Sequence, residues 1–138
     1  MNTVSLRRHV DASPDRVREH VCDVVPFMEA AGFDTVERDG DELRIENRVG
    51  ILGIELTLEL VEDDDATLVY EQRDGVFESM RTTYHVTPDD GGSAVVAETV
   101  FALDVAVVGD FLDTTVIERQ RRKELSAQFD YLEALGDA

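Results

Sequence analysis

The sequence predicts an α+β two-layer domain in which a curved antiparallel sheet of about seven strands wraps one long C-terminal helix, with two short helices after the first strand. Three observations predict it. From Phe33 to Asp104 the apolar residues recur with a period of two, turn signals punctuate that stretch at hairpin spacing, and after Asp104 the period returns to 3.6. Without an internal repeat, a low-complexity segment or a Pro/Gly-rich linker, residues 1–138 read as a single domain.

Each element has a local cause. Thr3 to Val10 is a short strand that ends at Asp11-Ala12-Ser13-Pro14. There Ser13 can cap free helix N–H groups, and Pro14 can take the first helical position, where a missing N–H costs nothing. The helix that follows carries Val17, Val21 and Val24/Val25 at helical spacing; Pro26 is expected to break it before a second helix, Phe27 to Ala31, closed by Gly32. Turns at Asp39-Gly40, Gly50 to Gly53, Glu62 to Asp65, Asp74-Gly75 and Asp89 to Ser93 then divide the chain into six strands. Leu43, Ile45, Asn47 and Val49 alternate with charged residues, as do Ile54, Leu56, Leu58 and Leu60 with Glu55, Thr57 and Glu59, so one face is covered and the other wet. A final helix from about Val108 to Leu135 places Phe111, Leu125, Phe129 and Leu132 on one stripe and is, at roughly 40 Å, long enough to cross the sheet.

Composition narrows the function. With 31 Asp+Glu against 13 Lys+Arg the formal charge is -18, which opposes nucleic acid and anionic membrane surfaces. The acids run from Asp11 to Asp137, and Lys123 is the only lysine beside twelve arginines. Such whole-surface acidity suits a cytosol of molar salt, where the Debye length shrinks to ~3 Å, and it is similar to proteins of salt-in halophilic archaea. No apolar run reaches the ~20 residues of a membrane span, and the N-terminus lacks a signal-peptide stretch, so a cytoplasmic location is expected. A lone Cys22 excludes an internal disulfide, and His9, His20 and His85 lack ligand spacing, so neither a metal nor a cofactor is expected. Arg119, Arg121, Arg122 and Lys123 form the one basic cluster, which a helix spreads around its circumference.

The order of one strand, two short helices, six strands and a long helix, with V-D-A-S-P-D-R-V opening the first helix, resembles the START-like (SRPBCC) superfamily. The resemblance covers nearly the whole chain and implies the helix-grip fold, with an apolar cavity between the sheet and the last helix. Its members include polyketide cyclases and aromatases, lipid and sterol carriers and quinone-binding proteins, so the fold alone does not choose a chemistry.

If the apolar strand faces line such a cavity, its polar exceptions are Asn47, Tyr70, Gln72, Glu78, Thr82, Tyr84 and Thr99, with Leu58 and Met80 beside them. A bulge would change the face and turn Phe77, Arg81 and His85 inward. Asn47, Tyr70 and Tyr84 can orient an apolar ligand without a buried charge; alternatively the tyrosines are core residues with their hydroxyls at the rim. Glu78 is a candidate general acid or base if burial raises its pKa, and a solvated carboxylate otherwise. On the helix, Glu118 and Arg122 stand four apart and nearly in line with Phe111 and Thr115, as a polar anchor for a ligand carbonyl or carboxylate or as a solvated pair.

The leading expectation is a domain that binds a small apolar or amphipathic molecule (lipid, quinone or polyketide-like) in that cavity, as carrier or sensor. A cyclase/dehydratase-type enzyme using the same cavity, with Glu78, Tyr84 or Arg122 moving a proton or holding an enolate, is the second. An interaction module whose cavity is closed by side chains is the third.

Overall fold

A computed structural model describes residues 1–103 and 113–137. Seven strands, β1 (Asn2–Val10), β2 (Thr35–Asp39), β3 (Glu42–Val49), β4 (Leu52–Val61), β5 (Leu68–Asp74), β6 (Phe77–Asp89) and β7 (Gly92–Leu103), make one sheet in the order β1-β7-β6-β5-β4-β3-β2. Every neighbouring pair is antiparallel. The helices are α1 (Pro14–Cys22), α2 (Val24–Glu29) and α3 (Thr114–Glu133), so the helix-grip architecture expected from the sequence is the one observed.

The caps act as their chemistry dictates. The Ser13 side chain accepts from Arg16 N, and Pro14 opens α1. Pro26, expected to break the chain, instead lies inside α2 as its third residue. A helix's first turn makes no use of its N–H groups, so proline costs nothing there, and the break falls at Asp23. Gly32, at φ +95°, ends this segment in a left-handed conformation that favours glycine.

The start of the final helix expected near Val108, and Phe111 with it, lie outside the described residues. Within them α3 begins at Thr114, where the Asp113 side chain accepts from Val116 N at 2.9 Å. Arg8 on β1 reaches across to α3. It donates to Ser126 at 3.1 Å, bonds Asp130, and its guanidinium lies 5.5 Å from the centroid of the Phe129 ring. On α3, Ile117, Arg121, Glu124, Leu125, Gln128 and Leu132 are buried.

One bulge decides which side chains of β6 face the helix. Phe77 pairs with Leu103 and Ser79 with Ala102, leaving Glu78 as the extra residue. Phe77 therefore points inward, edge-to-face against Phe101 at 5.5 Å, and Glu78 is exposed. From Met80 onward the expected face holds: Met80, Thr82, Tyr84 and Val86 are all buried. Among the described residues no helix is long and apolar enough to cross a membrane.

Candidate functional site

Between the sheet and α3 lies a cavity of about 50 Å³. Val49 and Ile54 of the β3–β4 hairpin line it, with Val76, Phe77 and Ile117. Leu58, Met80 and Phe101 add to the apolar wall, and Asn47, Tyr70, Thr99, Gln120, Arg121 and Glu124 supply the polar one. An apolar cavity with a few convergent polar groups has the composition of a ligand site, although this volume is well below the ~300 Å³ at which drug-sized pockets begin.

The polar wall is a connected network centred on Arg121. Its Nε donates to Thr99 Oγ1 at 2.9 Å, Nη1 to Glu124 Oε1 at 3.0 Å, and Nη2 to both Thr82 Oγ1 at 3.3 Å and the Tyr70 hydroxyl. The second carboxylate oxygen of Glu124 accepts from Asn47 Nδ2 at 2.8 Å and from Gln120 Nε2 at 3.0 Å. Behind Tyr70, Tyr84 donates to Gln128 Oε1 at 2.6 Å, and Gln128 donates to the carbonyl of Phe27 at 3.1 Å. Thus strands β3, β5, β6 and β7, helix α3 and helix α2 are tied by side chains through one point.

Burial opposes the charge of Arg121, but the oxygens of Tyr70, Tyr84 and Glu124 outweigh it and hold the guanidinium above its ordinary value. Burial, reinforced by Tyr70, pushes the Tyr84 hydroxyl well above its ordinary 10. The wall therefore holds one buried ion pair, Arg121 with Glu124, among amides and hydroxyls. Among the described residues every buried side-chain nitrogen and oxygen has a partner, as desolvated polar groups require.

The sequence-derived candidates divide accordingly. Asn47, Leu58, Tyr70, Met80 and Thr99 line the cavity. Tyr84 and Thr82 are buried one layer behind it, within the network. Gln72 faces inward, but its amide is occupied by the backbone of Phe77, donating to the carbonyl at 2.8 Å and accepting from the N–H at 3.0 Å. Those bonds close the β5–β6 turn over Gly75, where a Cβ would run into Gln72 and Leu56.

Glu78 does not reach the cavity, because the bulge sends it to solvent. On α3, Thr115 and Arg122 are exposed, and Glu118 is half-buried outside the cavity wall. Their place is taken by Arg121, Glu124 and Gln120, which the sequence reading did not single out. At about 100° per residue, Arg121, Leu125, Gln128 and Leu132 fall within an arc of about 60°, whereas Arg122 stands about 100° from Arg121. The available signal is that polar Arg121, Glu124 and Gln128 continue a 4-3-4 spacing from Ile117, beside the apolar Leu125 and Leu132.

A seven-stranded antiparallel sheet gripping a C-terminal helix over such a cavity defines a START-like domain. The chain belongs to the family described as polyketide cyclase / dehydrase and lipid transport, whose pattern matches residues 1–136. No curated protein matches it by sequence. Solved structures share the fold at low identity. The Zhui aromatase/cyclase from Streptomyces sp. R1128 is 19% identical, with a TM-score of 0.77 over 96% of this chain and 93% of that one. TTHA0849 from Thermus thermophilus is 18% identical, with a TM-score of 0.73 over 96% and 95%. A START superfamily protein from Mycobacterium smegmatis is 12% identical, with a TM-score of 0.73 over 98% and 97%.

Proposed function

We propose that this protein binds a small amphipathic molecule between its sheet and α3, as a carrier or sensor, with the ligand's polar end at Arg121 and its apolar part toward Phe77 and Ile117. The observation that carries this reading is the asymmetry of the cavity: an apolar wall and a single polar cluster at Arg121, Glu124, Asn47 and Tyr70. Family membership supports it, since the family name includes lipid transport. A group of a few heavy atoms fits the space present; a longer ligand requires the half-buried Phe77 and Leu56 to rotate away from the cavity. The surface charge of -18 supports a working place in a salt-rich cytoplasm.

The test is mass spectrometry of an organic extract from protein purified natively in molar KCl, beside a Val76→Trp variant. Val76 is half-buried at the cavity wall, so the indole fills the space with little disturbance to the core. One stoichiometric compound, absent from the folded variant, is the expected result. The same compound in both, or none in either, refutes a ligand held in this cavity.

A second reading, an enzyme of the cyclase/dehydratase type, is favoured by the guanidinium of Arg121 donating to the Tyr70 hydroxyl at the cavity wall. Accepting from Arg121, the Tyr70 hydroxyl can donate its own O–H to a substrate ketone oxygen and polarise it. Turnover of a polyketide-like ketone that Tyr70→Phe abolishes without weakening binding would establish it over the carrier.

A further inference from the structure

A guanidinium carries five N–H donors. In Arg121 four are spent on Thr99, Glu124, Tyr70 and Thr82, which leaves one N–H of Nη1 without an acceptor among the described residues. The charge of Arg121, by contrast, is already answered: Glu124 stands against it at 3.0 Å, and both side chains are buried. The other groups of the network, Asn47, Gln120, Tyr70, Thr82, Thr99 and Gln128, are neutral. The wall therefore has a hydrogen bond to give and no net positive charge to offer.

We infer that the cavity selects a neutral hydrogen-bond acceptor, a ketone-, quinone- or amide-type carbonyl, and discriminates against the carboxylate of the same chain length. The inference rests on the binding role proposed above. A neutral carbonyl can take the open N–H of Nη1 while its chain lies on the apolar wall. A carboxylate would bring a second anion beside Glu124 and give the buried site a net negative charge, which a desolvated interior opposes strongly. Glu124 is thus the specificity-determining residue. Its two bonds from Asn47 and Gln120 hold it against Arg121, where it answers the charge that would otherwise attract acids.

The experiment compares 2-octanone with octanoate by titration of backbone and Arg121 Nε–H resonances, at neutral pH in molar KCl. Salt at that concentration screens the charge of the exposed surface but not that of a buried pair, so the acidic surface cannot account for the result. The ketone is expected to bind at least about tenfold more tightly than the acid, with its largest shifts at Arg121, Thr99 and Phe77. In Glu124→Gln the preference is expected to reverse, because the uncovered guanidinium then attracts the carboxylate. Should that variant fold poorly, the wild-type comparison decides by itself. Octanoate binding the wild type as tightly as octanone would overturn this inference and leave the cavity reading standing. Binding of neither probe would overturn both.

Discussion

Replacing Arg121 by Met is expected to be among the most damaging single changes in this chain, although it swaps one long side chain for another. Arg121 and Glu124 have side chains only 9% and 8% exposed, so solvent does not screen them. Removing one member of a buried pair leaves the other as an uncompensated charge, at a cost of about 3–5 kcal/mol. Here the lower end applies, because Asn47 and Gln120 still donate to Glu124. The hydroxyls that lose Arg121 keep partners too: Thr82 and Thr99 are 2.8 Å apart, and Tyr70 and Tyr84 are 3.4 Å apart. A loss of about 3 kcal/mol, with an m-value of about 2 kcal/mol per molar, lowers the urea midpoint by about 1.5 M. Since a domain of this size has about 5–15 kcal/mol to lose, the variant should remain folded. Arg121→Met combined with Glu124→Leu removes both charges and is expected to recover to within about 1 kcal/mol of the wild type. Equilibrium urea unfolding followed by circular dichroism measures all three proteins. If the single variant lost less than about 1 kcal/mol, the pair would not be desolvated as described. If the double variant were as unstable as the single, the cost would be packing and not charge, and the electrostatic argument for the cavity wall would fall.

Three further outcomes follow from the same structure. Glu78→Gln should change neither ligand binding nor stability by more than about 0.5 kcal/mol, since Glu78 is an exposed bulge residue; calorimetry that found a marked loss of binding would place it back in the site. Tyr84 has a folded-state pKa raised well above 10, so its contribution to stability is complete below that pH and declines as pH rises through the raised value. Thermal unfolding from neutral to strongly alkaline pH should therefore fall less steeply in Tyr84→Phe than in the wild type, and parallel curves would show that Tyr84 does not carry the effect. With a formal charge of -18, the melting temperature should climb as KCl is raised toward molar concentration; one that stays level would remove the support for a salt-rich working environment.

What the amino-acid order determines by itself is local: which segments are strands, where Ser13 can cap, where the Asp-Gly and Gly-Gly turns fall, and which face of each strand is apolar. Side-chain direction alternates along a strand and repeats along a helix for steric reasons that need no partner, so Leu43, Ile45, Leu58, Met80 and Tyr84 are readable as inward-facing from spacing alone. Even the placement of Pro26 is a local matter, settled by which of the first-turn N–H groups the helix leaves unused. The rest belongs to tertiary structure. One extra residue at Glu78 exchanges that carboxylate for Phe77 at the cavity, and nothing in the letters Phe77-Glu78-Ser79 distinguishes a bulge from a regular pair until Ala102 and Leu103 lie across from them. Arg8 meets Ser126 and Asp130 of α3 from 118 and 122 residues away in sequence. Arg121 reads as one of four scattered basic residues until Thr99, Thr82 and Tyr70, which lie 22, 39 and 51 residues before it, converge on its guanidinium. A charged side chain can occupy an apolar stripe only where its counter-charge and acceptors are delivered by other elements, and that delivery is a property of the folded sheet, not of the helix that carries it.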